Sequence, residues 1–258
     1  MKIVVATHKP YSMPPDGVYL PLQVGAAGKP GLGFRRDDEG DNISAKNANW
    51  CELTGLYWAW KNLTAEDAVG LVHYRRHFRG RTGIATADEI AAALAKANVV
   101  LPRKRNYFIE TTYSQYAHAH HAADLDLTRR ILSERHPECL PAFDAAMKST
   151  KGHRFNMLVM KRPLFDAYCK WLFDVLFELE RRLDISAYSP NDARVFGFVA
   201  ERLLDVWIGT NQVAFAELPV LHLEGQHWPK KALAFLVRKL RGPAVSCCGA
   251  SPDGLILG

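Results

Sequence analysis

The chain has 258 residues, of which 48% are hydrophobic and 23% are charged, a balance that excludes a mainly disordered chain. The net charge of +6 suits an anionic partner but is also common in ordinary enzymes; no nucleic-acid-binding motif is recognisable, so nucleic acid is not an expected partner. No apolar run approaches the roughly 20 residues of a membrane-spanning helix, and the five cysteines show neither a disulfide framework nor zinc-ligand spacing, which favours a reducing cytoplasm.

The apolar pattern predicts strands that alternate with helices. Thr86 and Glu89 have the spacing of a capping box at a helix start. In chain order the pattern predicts a strand at 2–7, an irregular segment at 10–42, a helix at 47–62, a strand at 69–73, a helix at 86–96, a strand at 99–101, mostly helix at 113–136, a strand at 155–160, helices at 163–182 and 191–208, and a strand at 213–221. This order predicts an α/β fold with a mainly parallel central sheet flanked by helices.

The segment 228–242 differs from the rest, because leucines and a phenylalanine are interspersed with lysines and arginines after an initial tryptophan. A basic amphipathic helix of this kind suits the surface of an anionic membrane, and it equally suits a packed helix with a solvated basic face. We therefore expect one domain at 1–222 and a basic amphipathic extension at 223–258.

The strongest local signal for a site lies where the strand at 69–73 ends. The residues there are His73, Tyr74, Arg75 and Arg76. Open α/β sheets bind ligands at the carboxyl ends of their strands, and arginine offers a planar fork of donors for phosphate oxygens. Adjacent arginines on an extended chain point in opposite directions, so one could bind a diphosphate while the other pairs with a carboxylate. A surface strand end with ordinary ion pairs is the competing interpretation.

The first predicted strand ends in His8 and Lys9. In a parallel sheet these two residues share an edge with Arg75 and Arg76, which predicts a cationic pocket for a nucleotide diphosphate. A polar loop after a strand explains His8 and Lys9 equally well.

Asp124 and Asp126 have the spacing of the metal-binding Asp-x-Asp motif that sugar transferases place after a strand. Their neighbours predict a helix instead, so no metal ligand is assigned. No cofactor is predicted, and a role for a divalent metal such as Mg²⁺ or Mn²⁺ stays open.

Several blocks of the sequence, spread over residues 3–222, together resemble a bacterial galactofuranosyltransferase family that was long known only as a domain of unknown function in capsule and O-antigen gene clusters. The blocks that carry the resemblance are Thr7-His8-Lys9, Gln23-Val24-Gly25, the segment 41–44 with Asn47, and the segments 52–62, 70–76, 155–157, 194–198 and 201–203.

The resemblance implies a single domain of the GT-A type and a hexosyltransferase that uses UDP-galactofuranose as donor. It also implies an inverting transfer that makes a β linkage on a growing cell-surface polysaccharide, with a lipid-linked or oligosaccharide acceptor. We expect a cytoplasmic protein, peripheral at the inner membrane, whose segment 228–242 contacts an anionic surface. Two alternatives stay open: a different nucleotide-sugar donor, and a non-catalytic glycan-binding or scaffold subunit of a polysaccharide assembly complex.

An inverting transfer needs a carboxylate that accepts the proton of the acceptor hydroxyl. Glu201 is the first candidate, since it lies on one helix face with Arg194, about two turns away. Asp192 is the second, although it stands where the family is expected to carry a different polar residue. The residues expected to bind the donor are His8, Lys9, Arg75 and Arg76 at the diphosphate, Asn42, Asn47 and Asn156 at the sugar, and His73, Tyr74 and Arg194 beside them.

Overall fold

The computed structural model describes residues 1–224, so the predicted amphipathic segment at 228–242 lies outside the described residues. The strands are β1 (Lys2–Thr7), β2 (Tyr19–Gln23), β3 (Arg35–Arg36), β4 (Ala68–His73), β5 (Arg76–Phe78), β6 (Val99–Pro102), β7 (Arg105–Asn106), β8 (Lys151–Gly152), β9 (Leu158–Lys161), β10 (Phe215–Leu218) and β11 (Val220–His222). The helices are α1 (Asn47–Trp50), α2 (Leu53–Asn62), α3 (Ala87–Lys96), α4 (Thr112–Ala119), α5 (Ala122–Arg135), α6 (Leu140–Lys148), α7 (Arg162–Arg182) and α8 (Val195–Thr210). None of the helices within residues 1–224 combines the length and the apolar character needed to cross a membrane.

The central sheet has the strand order β10-β6-β9-β4-β1-β2-β3, and β5 and β11 extend it beside β4. Strands β1, β2, β3 and β4 run parallel to one another, and β6 is parallel to β10. Strand β9 is antiparallel to both of its neighbours, β4 and β6, so the two parallel groups point the same way. The predicted α/β fold with a mainly parallel sheet is confirmed.

Each face of the sheet packs against a hydrophobic core. Alternate residues of the central strands point to opposite sides, so one strand contributes to both cores. Val4 and Leu71 belong to a large core that receives side chains from α1, α2 and α4–α8. Ile3 and Val72 belong to a smaller core that includes Ile90 of α3. Strands β1 and β4 are adjacent and parallel, so their carboxyl ends lie side by side at the same end of the sheet, between the two packed layers.

The predicted helix at 47–62 is broken at Cys51, whose backbone has φ 53° and ψ −134°. Such a positive φ is strained for a residue other than glycine and cannot continue a helix. The side-chain amide of Asn47 donates to the Cys51 carbonyl oxygen over 2.6 Å and to Thr54 Oγ1 over 3.1 Å. These bonds hold the break in place and turn the start of α2 toward the sheet edge.

The segment 10–42 is less irregular than predicted, since it contains β2 and β3. Strand β2 was not predicted because it contains Pro21, and proline is uncommon in strands. Strand β2 nevertheless pairs in parallel with β1, with Ile3 opposite Tyr19. The capping box at α3 is confirmed, since Thr86 Oγ1 accepts from the Glu89 amide and the Glu89 carboxylate accepts from the Thr86 amide.

Other boundaries differ from prediction for local reasons. The strand predicted at 155–160 begins only at Leu158, because Phe155 and Asn156 have positive φ values of 78° and 51°. The last predicted strand is divided at Pro219 into β10 and β11. The helix predicted at 191–208 begins with a 3₁₀ turn at Asp192–Arg194 before α8.

Candidate functional site

A cavity of about 640 Å³ opens where β1 and β4 end. Its wall is built from the ends of these strands, the break between α1 and α2, the first turns of α8, and the loop around β7. The lining residues are Ala6, His8, Val24, Asn47, Ala48, Cys51, Glu52, His73, Tyr74, Arg75, Arg76, Arg105, Tyr107, Gln115, His120, Arg154, Phe155, Arg194, Gly197, Phe198, Glu201 and Arg202.

The predicted shared edge of the first and fourth strands is confirmed. Ala6 lies opposite His73 in the parallel pair of β1 and β4, and the Tyr74 amide donates to the Ala6 carbonyl oxygen over 3.1 Å. His8 therefore lies against Tyr74, with ring centroids 5.4 Å apart. Burial, and then the charges of Lys9 and Arg75, lower the pKa of His8. This shift favours the neutral ring, which offers one donor and one acceptor.

Positive charge dominates the cavity. The arginines in its lining are Arg75, Arg76, Arg105, Arg154, Arg194 and Arg202, and the carboxylates in its lining are Glu52 and Glu201. Arginine stays charged in proteins, so the lining carries a net positive charge. An excess of fixed cations in a partly enclosed space favours a ligand with two or more negative charges.

These arginines differ in how far the protein satisfies them. Arg154 is nearly fully buried and donates to Tyr107, Thr112 and the His153 carbonyl oxygen, at 2.6–3.1 Å. Arg76 has a buried Nε without a hydrogen-bond partner among the described residues, and its guanidinium lies 4.6 Å from the centre of the Phe155 ring. Burial, and then the charge of Arg75, lower the pKa of Arg76. Arg76 therefore forms no ion pair with the residues described, although the charges of Glu201 and Glu52 partly oppose the lowering of its pKa.

Arg75 and Lys9 share one carboxylate at the rim. Arg75 Nη1 lies 3.6 Å and Lys9 Nζ 3.3 Å from the carboxylate of Glu224. All three side chains are at least 40% exposed, so these pairs contribute little to stability. Arg75 thus has a carboxylate within ion-pair distance and Arg76 has none among the described residues. The two arginines do not lie on one extended chain as predicted, because Arg75 lies between β4 and β5. Lys9 lies beside the Tyr74 ring and outside the cavity lining.

A strained segment, Phe155–Asn156, crosses the inner wall of the cavity. The Phe155 amide donates to Glu201 Oε1 over 3.1 Å, and the Phe155 carbonyl oxygen lies 2.5 Å from His73 Nε2. Asn156 is buried and donates to Glu52 Oε1 over 2.6 Å and to the Gly197 carbonyl oxygen over 3.1 Å. Residues held at positive φ cluster at functional sites, where the surrounding structure compensates for their strain.

The two carboxylates of the cavity are bound differently. Glu201 uses both oxygens, since Oε1 accepts from the Phe155 amide and Oε2 lies 3.0 Å from Nη1 of the buried Arg202. Glu52 uses Oε1 for Asn156, and its Oε2 accepts no hydrogen bond from residues 1–224. Glu52 therefore has one oxygen without a protein partner among the described residues, whereas each oxygen of Glu201 already has one partner.

Most of the predicted site residues are brought together by the fold. Asn156 lies directly behind the cavity wall, bonded to Glu52. The predicted residues in the cavity lining are His8, Asn47, His73, Tyr74, Arg75, Arg76, Arg194 and Glu201. Asn42 lies apart from the cavity, where its side chain bonds the Gly40 carbonyl oxygen and the Ser44 amide in a tight turn.

Asp192 also lies outside the cavity lining. It is 3.0 Å from Nδ1 of His120, a lining residue, and accepts from Ser189 over 2.7 Å. Burial acts to raise its pKa, but the bonds from Ser189 and His120 prevail and lower it. A lowered pKa makes this carboxylate a weaker base, so its geometry suits the positioning of His120 better than proton transfer.

The Asp-x-Asp spacing at 124–126 lies inside α5, as the sequence predicted. The buried Asp124 accepts hydrogen bonds from Tyr116 and Tyr188, and Asp126 accepts from Tyr113. Within the described part of the chain, no group of three or more His, Cys, Asp or Glu residues has an arrangement that could hold a metal ion.

Sequence reasoning missed part of the lining: Cys51, Glu52, Arg105, Tyr107, Gln115, His120, Arg154, Phe198 and Arg202. A signal existed for Arg105 and Tyr107, which follow β6 in the way that Arg75 and Arg76 follow β4. Glu52 was hidden because it fell inside a pattern interpreted as one continuous helix.

Comparisons with known proteins found one matching family and one similar solved structure. The profile of a family described as a domain of unknown function (DUF4422) matches residues 2–212. The apo structure of WbbM, a bifunctional glycosyltransferase, superimposes with a TM-score of 0.80 at 29% identity, and the match covers 87% of this chain and 45% of that one. This chain thus matches less than half the length of that protein. No curated protein matches.

The excess positive charge predicts that inorganic pyrophosphate binds in the cavity and stabilises the fold. A ligand at 100 times its Kd adds about 2.7 kcal/mol to the free energy of unfolding. We expect pyrophosphate to raise the melting temperature of the wild type and to have a much smaller effect on Arg76→Met. The matched control is Arg129→Met, because Arg129 pairs with Asp144 on the helical surface. Equal pyrophosphate shifts in Arg76→Met and the control would place the anion elsewhere.

Proposed function

We propose that this chain, which belongs to the family described as a domain of unknown function (DUF4422), is a glycosyltransferase that uses a nucleotide-sugar donor. One observation carries the proposal: a cavity rich in arginine lies at the carboxyl ends of parallel strands, where α/β folds of this kind bind nucleotides. The similarity to a bifunctional glycosyltransferase over 87% of this chain supports the same conclusion.

The proposed donor is UDP-galactofuranose, transferred with inversion to a growing cell-surface polysaccharide. Support for this sugar comes from the sequence blocks that resemble galactofuranosyltransferases. The cavity supports the nucleotide-diphosphate part, because a diphosphate is the portion of such a donor that carries negative charge. Asn47 lies in the lining, and its amide donates to Cys51 and Thr54, so its proposed part is to shape the sugar pocket by holding the break between α1 and α2; for Asn42 a direct contact is not part of the proposal.

In the proposed mechanism, Arg75 and Arg76 bind the diphosphate, and His8 and Tyr74 form the adjacent wall. Bond cleavage at the anomeric carbon leaves a nucleoside diphosphate with increased negative charge. Fixed cations stabilise that charge without reorganising during the reaction. Arg76 is suited to this role because its buried Nε has no hydrogen-bond partner among the described residues.

An inverting transfer also needs a base, and the cavity offers Glu201 and Glu52. Glu201 is the residue predicted from the sequence, but both of its oxygens are engaged. Glu52 is oriented by Asn156 through Oε1 and keeps Oε2 for the acceptor hydroxyl. The hydrogen bonds therefore favour Glu52 as the base, with Glu201 holding Phe155 and balancing the charge of Arg202.

Arg75→Ala is expected to lower transfer by about 10²–10³-fold, the usual cost of removing one donor to a developing anion. The fold should remain intact, because the Arg75 side chain is 43% exposed and its ion pair lies at the rim. The measurement is product formation from UDP-galactofuranose beside the melting temperature, with Arg129→Ala as the surface control. Full activity in Arg75→Ala would remove its diphosphate role.

The two carboxylates can be separated with amide variants. Glu52→Gln should lower the transfer rate by about 10²–10⁴-fold, the range for loss of a general base, while donor binding persists. Glu201→Gln should mainly lower the melting temperature, because it leaves the charge of the buried Arg202 without its partner. If both variants fold and bind UDP, a greater loss of turnover in Glu201→Gln than in Glu52→Gln would identify Glu201 as the general base.

A further inference from the structure

Two large apolar side chains protrude beside the cavity, in the loop between β7 and α4. Phe108 is 79% exposed and Ile109 is 62% exposed, and they are the most exposed large hydrophobic residues in the described part of the chain. Their neighbour Tyr107 is buried and lines the cavity. Exposure of two adjacent large apolar residues costs free energy in water unless something else covers them.

The backbone holds these residues in place. Phe108 has φ 58°, and the Ile109 amide donates to the Tyr107 carbonyl oxygen over 2.7 Å. A hydrogen bond that spans two residues around a positive φ defines a rare, strained γ-turn. The turn is anchored on both sides, since the Phe108 amide donates to Asn106 Oδ1 over 2.9 Å and the Tyr107 amide donates to the Thr150 carbonyl oxygen over 2.8 Å. The exposed position of Phe108 is thus built into the structure.

Basic residues flank the apolar tip along the chain and across the β7–β8 pair. The exposed basic residues close to it are Arg103, Lys104 and Arg105, which precede it, and Lys151, which is the neighbour of Asn106 in the β7–β8 pair. Arg103 and Lys151 form no ion pair with the residues described. Lys104 has a 3.8 Å contact with Asp205, and its ammonium lies 5.7 Å from the centre of the Phe215 ring. The one carboxylate at 103–112, Glu110, is buried and lies 2.6 Å from His118. The tip therefore combines apolar groups with unneutralised positive charge.

An anionic lipid surface fits this combination better than a protein does. A stable protein interface buries about 800 Å² on each partner and needs a complementary shape, which two adjacent side chains do not provide. A bilayer surface accepts a few apolar side chains at the boundary of headgroups and acyl chains, while basic residues interact with anionic lipid headgroups. An aromatic and an aliphatic residue flanked by cations match that boundary.

We propose that the tip at Phe108–Ile109, with its surrounding cations, docks the chain on an anionic bilayer. Arg105 and Tyr107 belong both to this loop and to the cavity lining, so docking brings the cavity beside the lipid surface. An acceptor glycan carried on a lipid then reaches Glu52 without leaving the membrane. This last step rests on the proposed glycosyltransferase function, whereas docking itself does not.

The experiment is sedimentation of the full chain with vesicles of phosphatidylcholine, with and without phosphatidylglycerol. The wild type should bind the vesicles that contain phosphatidylglycerol. Phe108→Ser/Ile109→Ser should bind them at least about tenfold more weakly, as expected for the loss of two apolar insertions. The segment 228–242 is the same in both proteins, so the difference reports on the tip alone. Wild-type vesicle binding by this double variant would overturn the proposal.

A second pair of variants tests the charge. Arg103→Gln/Lys151→Gln should weaken binding to phosphatidylglycerol vesicles, whereas Arg130→Gln/Lys170→Gln removes two exposed charges from α5 and α7 and should bind like the wild type. Equal weakening in both pairs would show a general charge effect and contradict docking through the tip.

Activity separates docking from the proposed function. The apolar double variant should transfer sugar normally to a soluble acceptor and poorly to an acceptor embedded in vesicles. Equal loss of both activities, or no selective loss with the embedded acceptor, would contradict the docking role. Absence of transfer in every protein, together with tip-dependent vesicle binding, would refute the transferase and leave docking intact.

Discussion

The site depends on positive charge that the carboxylates around it do not neutralise. Parallel pairing of β1 with β4 places His8 next to Tyr74 and directs Arg75 and Arg76 toward one cavity. Concentrating cations in this way is costly in the free protein, because burial and mutual repulsion both disfavour the charged state. An anionic ligand would relieve that cost, so the same charge that is unfavourable in the free protein supports the proposed binding of a diphosphate.

The strained segment Phe155–Asn156 connects this charge to the carboxylates. Its backbone contacts His73 from β4 and Glu201 from α8, and its asparagine side chain orients Glu52 at the start of α2. Three elements that are distant in sequence thereby acquire fixed relative positions. Preorganisation of this kind matters in catalysis, because groups already in place do not have to reorganise in the transition state.

The sequence alone predicted the site residues that follow directly from the ends of predicted strands. Buried β-branched runs located β1 and β4, and the rule that ligands bind at strand ends then indicated His8, Arg75 and Arg76. Glu52 was not predicted as a site residue, because the helix pattern continues across Cys51 and a positive φ cannot be read from apolar periodicity. Arg154 and Arg202 were not predicted to line the cavity for a different reason. Their approach to the cavity depends on contacts between distant segments, such as Arg202 with Gln115, which local patterns do not encode.

We propose that arginine, in a cavity at the strand ends, neutralises the diphosphate released during transfer of galactofuranose. The most direct measurement is product formation from UDP-galactofuranose, beside other UDP-hexoses, with EDTA and with added Mg²⁺. We expect product to form from UDP-galactofuranose even when EDTA is present. Product that strictly requires Mg²⁺ would contradict neutralisation by arginine alone, and the absence both of product and of UDP binding would contradict the glycosyltransferase assignment.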